Sequence, residues 1–341
     1  MERQTPTREA APPQAERSGR VFVTRAIPDV GLELLRSSGL TIDVWEESLP
    51  PPREALIARA AGCDALLTLL SDQIDGALLD AVGPQLRVVS NFAVGYNNID
   101  LAATSERGIA VGNTPDVLTE ATADLAFALL ISAARRVGEG LAEVREHRWQ
   151  TWEPLGLLGQ SLSQRTLGIF GMGRIGAALA RRCVGGWGMK VLYCARARKP
   201  AIEAELRGAA RHVDLPTLLR CADFLSLHAP LTAETRGLFG REAFAAMKPG
   251  AVFVNTARGA LHDEAALAAA LRSGQLFAAG LDVTEPEPLP ERSPLRALPN
   301  CLILPHIGSA TREARREMSR RAAENIIAGL RGELLPYLVK G

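Results

Sequence analysis

The residues of this chain that could do chemistry fall just after short apolar runs. Gly171-Met172-Gly173-Arg174-Ile175-Gly176 follows the run Thr166–Phe170 and opens a helical pattern over Arg174–Cys183. A G-x-G-x-x-G between a strand and a helix reads as a dinucleotide-binding turn. Gly171 permits the tight turn, Gly173 lets backbone approach a pyrophosphate, and Gly176 lets the helix pack close to the strand. The helix N-terminus adds free N–H groups and a partial positive charge. About 20 residues further on, an NAD site places Asp or Glu to accept from the ribose 2′-hydroxyl. Here the run Lys190–Cys194 ends in Ala195-Arg196-Ala197-Arg198-Lys199, with no carboxylate. Arg196 and Arg198 suit a 2′-phosphate instead, so the expected cofactor is NADPH, with NADH weaker.

Three more ionisable residues hold comparable places. There are five histidines, and a single histidine is more often structural than catalytic. His306 stands out because it sits in Pro305-His306-Ile307-Gly308-Ser309, directly after the apolar run Cys301–Leu304. Arg258 sits in Asn255-Thr256-Ala257-Arg258-Gly259, after the run Ala251–Asn255. Glu287 follows the run that ends near Asp282-Val283. In an open α/β sheet, ligands bind outside the carboxyl ends of the strands. Such a trio could combine a proton donor, a carboxylate that favours its charged form, and a permanent cation. Each also has a plainer reading: Arg258 as a surface ion pair, Glu287 as a solvated loop residue.

The elements that must position these residues alternate. Arg20–Thr24, Thr41–Trp45, Ala65–Leu70, Arg87–Phe92 and Ile109–Gly112 read as short strands, with helical spacing over Pro28–Leu35 and Pro52–Ala60 between them. A long helix is expected from Thr119 to about Glu146. A second strand series follows: Thr166–Phe170, Lys190–Cys194, Asp223–His228, Ala251–Asn255, Ala278–Asp282 and Cys301–Pro305. The Pro-rich stretch Glu285–Pro294 reads as a loop, and Thr311–Arg331 as an amphipathic helix. Two such series predict two doubly wound parallel-sheet α/β domains.

Composition narrows the function classes. The 341 residues carry 39 Lys and Arg against 38 Asp and Glu, so no basic field points to nucleic acid. No apolar stretch is long enough to cross a bilayer, and residues 1–18 read as a disordered tail rather than a targeting signal. Five cysteines without a C-x-x-C pair argue against a disulfide framework and for a reducing, cytoplasmic setting, with no metal site expected.

GMGRIG, VNTARG, GLDVTEPEP and PHIGSAT, in this order and at these separations, resemble the D-isomer-specific 2-hydroxyacid dehydrogenases over about residues 20–338. Within that family, Arg196–Lys199, Leu281–Pro290 and Arg148-Trp149-Gln150-Thr151-Trp152 look most like glyoxylate/hydroxypyruvate reductases. The resemblance implies a discontinuous flavodoxin-like substrate domain over 19–117 and 309–341, a Rossmann-type cofactor domain over 118–308, and an active site in the cleft. It implies that Arg258 binds substrate and that His306, paired with Glu287 rather than Glu285, is the acid/base residue. Val94 and Gly95 then match the loop whose backbone holds the substrate carboxylate, and Leu70-Ser71 a second pocket edge. Thr122, Ala229, Pro230, Thr256, Ala257, Asp282 and Gly308 join the glycine loop as cofactor contacts, with Asp282 near the nicotinamide amide. A homodimer is implied, in which Trp152 reaches the partner's pocket and restricts it to small keto acids. Only 35 residues follow His306, so no regulatory domain of the phosphoglycerate dehydrogenase kind is expected. A family member with a larger keto-acid substrate, or a cofactor-sensing corepressor-like protein, remains open.

Overall fold

A computed structural model describes residues 19–339. The expected tail, residues 1–18, lies outside them. The chain divides into two compact units: residues up to Pro115 together with those from Arg316, and Asp116–Arg315.

The first unit holds five parallel strands: β1 (Arg20–Val23), β2 (Thr41–Val44), β3 (Ala65–Thr68), β4 (Val88–Asn91) and β5 (Ala110–Gly112), in the order β2-β1-β3-β4-β5. Runs such as Ala65–Thr68 and Val88–Asn91 are buried throughout, as strands covered by helices on both faces must be. The segment from Arg316 belongs to this unit: the Ser319 hydroxyl donates to the Pro28 carbonyl at 2.6 Å and accepts the Gly31 N–H at 3.1 Å. A Cβ at Gly31 would overlap Ser319, so this glycine is required by close approach.

The second unit holds seven parallel strands: β6 (Thr166–Phe170), β7 (Lys190–Cys194), β8 (Ala210–His212), β9 (Phe224–Leu227), β10 (Ala251–Asn255), β11 (Leu276–Leu281) and β12 (Cys301–Ile303). Their order, β12-β11-β10-β9-β6-β7-β8, reverses at the β6/β9 pair. That is the doubly wound arrangement, and its reversal point opens a crevice at the carboxyl ends of β6 and β9. Side chains alternate between two cores. Ile169, Val191, Tyr193, Val252 and Val254 join one, and Phe170, Leu192, Phe253 and Leu281 the other.

Two expectations need correcting. The long helix from Thr119 is two helices, Thr119–Ala134 and Val137–Arg145, parted by Arg136 at φ 53°. The cause is a competing bond. Ala134 O accepts the Gln160 N–H at 2.8 Å, and Gly159 passes so close that a Cβ there would strike that same oxygen. Strand β8 was not foreseen, because Ala-Arg-His carries no apolar run. Among the described residues no helix is long and apolar enough to cross a membrane.

Candidate active site

The turn after β6 is shaped by what its glycines touch. Gly171 has φ +98°, and a Cβ there would lie 2.5 Å from the Ala229 nitrogen and 2.6 Å from the His228 carbonyl carbon, just past β9. Gly176 faces the Gly171 oxygen in the same way, at 2.5 Å. Both must be glycine for the turn to close on itself. Gly173 differs: a Cβ there would meet nothing within 4 Å. It caps the helix Arg174–Trp187 and, having no side chain, gives the first N–H groups of that helix no capping hydrogen bond. Beside it opens a cavity of about 540 Å³, lined by Met172, Gly173, Arg174, Lys199 and Ile202 among others. The Thr256 hydroxyl at the end of β10 is buried and lacks a hydrogen-bond partner. An open backbone cradle, a helix N-terminus and an orphaned buried hydroxyl fit a dinucleotide. Ile175 is half-buried, and Arg174, also on this turn, is exposed and pairs with Asp116 at 2.6 Å.

The turn after β7 carries two cations in different states. Arg196 is exposed and forms no close ion pair among the described residues, although its charge helps hold the Glu234 carboxyl low. Arg198, expected to grip a phosphate, is bidentate to Glu203. Pro230 is exposed beyond β9, next to buried Ala229.

The ionisable trio comes together at the ends of β10, β11 and β12. His306 Nδ1 lies 2.8 Å from Glu287 Oε2, and Glu287 Oε1 accepts the Thr284 N–H at 3.2 Å. Burial acts to raise the Glu287 pKa, but the His306 bond and charge, the Thr284 N–H and Arg258 outweigh it, and the carboxyl is held below its usual range. Arg258 is half-buried, and burial lowers its pKa against the opposing pull of Glu287. Glu285 takes no part in this bond.

Residues that the sequence reading gave no positioning role hold this trio in place. Asp282, 1% exposed, accepts the N–H groups of Ile307 and Gly308, both at 2.7 Å. It thereby fixes the loop on which His306 adopts φ 55°, a left-handed conformation that costs energy unless its surroundings enforce it. Burial raises the Asp282 pKa against those two bonds. Thr122 is buried against Gly308, where a Cβ would also meet Asp282. Asn255 shapes the Arg258 turn. Its Oδ1 accepts the Ala257 N–H at 2.9 Å, so its Nδ2 faces the Arg258 carbonyl at 2.8 Å and His262 Nδ1 at 3.1 Å. Gly259 then abuts the backbone of Thr284, where any Cβ would collide, tying the Arg258 turn to the Glu287 loop. A polar residue closing an apolar run, as Asn255 closes β10, was the available signal.

In the first unit, Leu70-Ser71 and Val94-Gly95 lie on two loops braced by buried amides. Asn98 Nδ2 donates to the carbonyls of Leu69 and Asp72, both at 3.0 Å. Asn91 Nδ2 donates to Gly95 O at 2.8 Å and to Asn98 Oδ1 at 3.1 Å. Trp152 is 79% exposed, on a segment that also exposes Trp149 and Leu155.

Comparison with known proteins adds independent findings. Residues 127–308 match the model of the D-isomer specific 2-hydroxyacid dehydrogenase, NAD binding domain. A glyoxylate reductase of Korarchaeum cryptofilum is 49% identical over 321 residues, covering 94% of this chain and 95% of that one. A Thermus thermophilus protein of known structure superposes with a TM-score of 0.88 at 48% identity, over 94% of this chain and 100% of the other. An NADPH-dependent glyoxylate/hydroxypyruvate reductase from Sinorhizobium meliloti, solved with NADP and malonate, gives 0.80 at 32% identity, over 95% and 97%.

Proposed function

The chain belongs to the D-isomer specific 2-hydroxyacid dehydrogenases, and on that premise we propose that it reduces small 2-keto acids, glyoxylate and hydroxypyruvate, with NADPH. The observation that carries the reading is the His306–Glu287 bond at 2.8 Å beside Arg258. With its pyrophosphate at the glycine turn, the reduced cofactor would supply the hydride for the keto carbon. With Nδ1 directed at Glu287, His306 has Nε2 left to give a proton to the oxygen on which charge develops. In the oxidation of D-glycerate the same nitrogen takes the proton back. Arg258, charged at all working pH, pairs with the carboxylate and polarises the carbonyl. Backbone groups at Val94-Gly95 hold the substrate carboxylate, and Leu70-Ser71 forms a pocket edge. We assign the first unit to substrate and the second to cofactor.

NADPH oxidation measured against a panel of keto acids tests this. Glyoxylate and hydroxypyruvate are expected to give the highest kcat/KM, with NADPH preferred to NADH. Preference for phenylpyruvate, or equal use of NADH, overturns the corresponding part. Cofactor binding without turnover of any keto acid indicates a cofactor-sensing protein.

We further propose a homodimer. Trp149 is 68% exposed and Trp152 79%, and Val144 and Leu155 extend the apolar surface beside them. Large aromatics are enriched in interface cores. Trp152→Ala is expected to raise activity on bulky keto acids relative to glyoxylate. A monomer by light scattering, or an unchanged substrate ratio, refutes this.

A further inference from the structure

The two arginines after β7 are not equivalent. Arg198 donates from Nε to both Glu203 carboxylate oxygens, at 3.1 and 2.8 Å, and from Nη2 to Oε2 at 2.5 Å. Glu203 is itself anchored. The hydroxyl of the fully buried Tyr193 donates to its Oε1 at 2.7 Å and accepts the Lys199 N–H at 2.7 Å. The Glu203 side chain is only 12% exposed, against 68% for Arg198. Arg198, the Tyr193 hydroxyl and the His212 backbone N–H all act on this carboxylate and hold it in place. Arg196, two residues away, is exposed and among the described residues has no such anchored pair, though its charge acts on Glu234.

A cation already paired in a fork-to-fork geometry has little charge left to offer a phosphate, and drawing it away leaves a partly buried carboxylate unpaired. We propose that Glu203 sets the strength of this chain's discrimination for the 2′-phosphate, by holding Arg198 in a closed pair and leaving recognition to Arg196. This rests on the NADPH reading and adds the residue that limits it. The arrangement makes 2′-phosphate preference moderate by construction, with a carboxylate one helical turn past the cations acting as a brake.

Titration calorimetry of the full-length protein tests the idea without turnover, using adenosine 2′,5′-bisphosphate and adenosine 5′-monophosphate, which differ only in the 2′-phosphate. The wild type is expected to bind the bisphosphate more tightly. Glu203→Gln keeps the shape and the acceptor for Tyr193 while releasing Arg198, and should tighten the bisphosphate about fivefold, the scale of one added charge contact at an exposed site. The monophosphate should bind as before. The gain should shrink when Arg198 is also changed to Ala, and Arg196→Ala should remove most of the discrimination in the wild type. Unchanged or weaker bisphosphate binding by a folded Glu203→Gln protein overturns the proposal while leaving the NADPH reading intact. A wild type that does not prefer the bisphosphate overturns both.

Discussion

The glycine turn after β6 and the ionisable trio after β10, β11 and β12 are built by opposite means. At the turn, function comes from side chains that are missing. Gly171 and Gly176 let backbone meet backbone, and Gly173 leaves the space a pyrophosphate would fill. At the trio, function comes from side chains held by other side chains. Glu287 orients His306, Asp282 fixes the His306 loop, and Asn255 with His262 shapes the Arg258 turn. A site made of absences is local and tolerates no added atoms. A site made of buried hydrogen bonds is non-local and is sensitive to protonation.

The largest effect that can test this contrast is at His306, the proposed proton donor. His306→Asn should lower kcat by about 10²–10⁴-fold, the usual worth of a general acid. Cofactor affinity, followed by NADPH fluorescence, should stay near wild type, because the cradle lies elsewhere in the unit. Wild-type turnover in this variant would remove the assigned acid.

Next come the glycines, which should separate fold from function. Gly171→Ala forces a Cβ against backbone 2.5 Å away at φ +98°, so it should lower the melting temperature by several degrees or prevent folding. Gly173→Ala meets no protein atom within 4 Å and should melt as the wild type does. It should nevertheless weaken cofactor binding roughly tenfold, equivalent to about 1.4 kcal/mol. Matching stability losses in the two variants would mean that the open space at Gly173 has been misjudged.

The same contrast explains what could be read in the sequence. The glycine turn is contiguous, follows an apolar run and opens a helix, so its placement followed from spacing alone. His306, Glu287 and Arg258 could be picked out as candidates because each follows an apolar run that became a strand, but the choice of Glu287 over Glu285 came from the family motifs and not from spacing. Their supports were not. Asp282 acts 25 residues away on Ile307, and Asn255 holds the Arg258 turn beside His262, which carried no motif of its own. The split of the Thr119 helix escaped for the same reason, since the group that ends it arrives from Gln160. The Arg198–Glu203 pair spans only five residues, but nothing in the sequence distinguishes it from two solvated charges.

Protonation offers a third test. Burial lowers the His262 pKa to about 4, and its Nδ1 accepts from Asn255, so the folded protein keeps the ring neutral. The unfolded chain protonates it near pH 6.5. The unfolded state therefore binds more protons between pH 6.5 and 4, and stability falls as pH falls through that window. Between pH 7 and 4.5 the loss attributable to His262 should be about 2–3 kcal/mol, read from urea midpoints. His262→Gln should show a correspondingly shallower pH dependence. An identical slope in both proteins would place the titration elsewhere.

The smallest expected effect is a displacement along the pH axis rather than a loss. Glu287 is held below the usual carboxylate range chiefly because its bond and charge interaction with His306, the Thr284 N–H and Arg258 together overcome the opposing effect of burial. It therefore stays ionised throughout the neutral range, and what it offers His306 Nδ1 is a negative charge. In the proposed reaction, reduction draws its proton from His306. Glu287→Gln keeps a hydrogen-bond acceptor at the same place but removes the negative charge beside the proposed proton donor. The pH optimum of kcat/KM for glyoxylate should move to lower pH, because a charge that favours the protonated donor is gone. For oxidation of the hydroxy acid, which needs the neutral ring, the acid-side limb should move the same way, so the variant should oxidise relatively better at low pH. A shift toward higher pH, or opposite shifts in the two directions, would mean that the pairing at 2.8 Å positions the ring without tuning its proton.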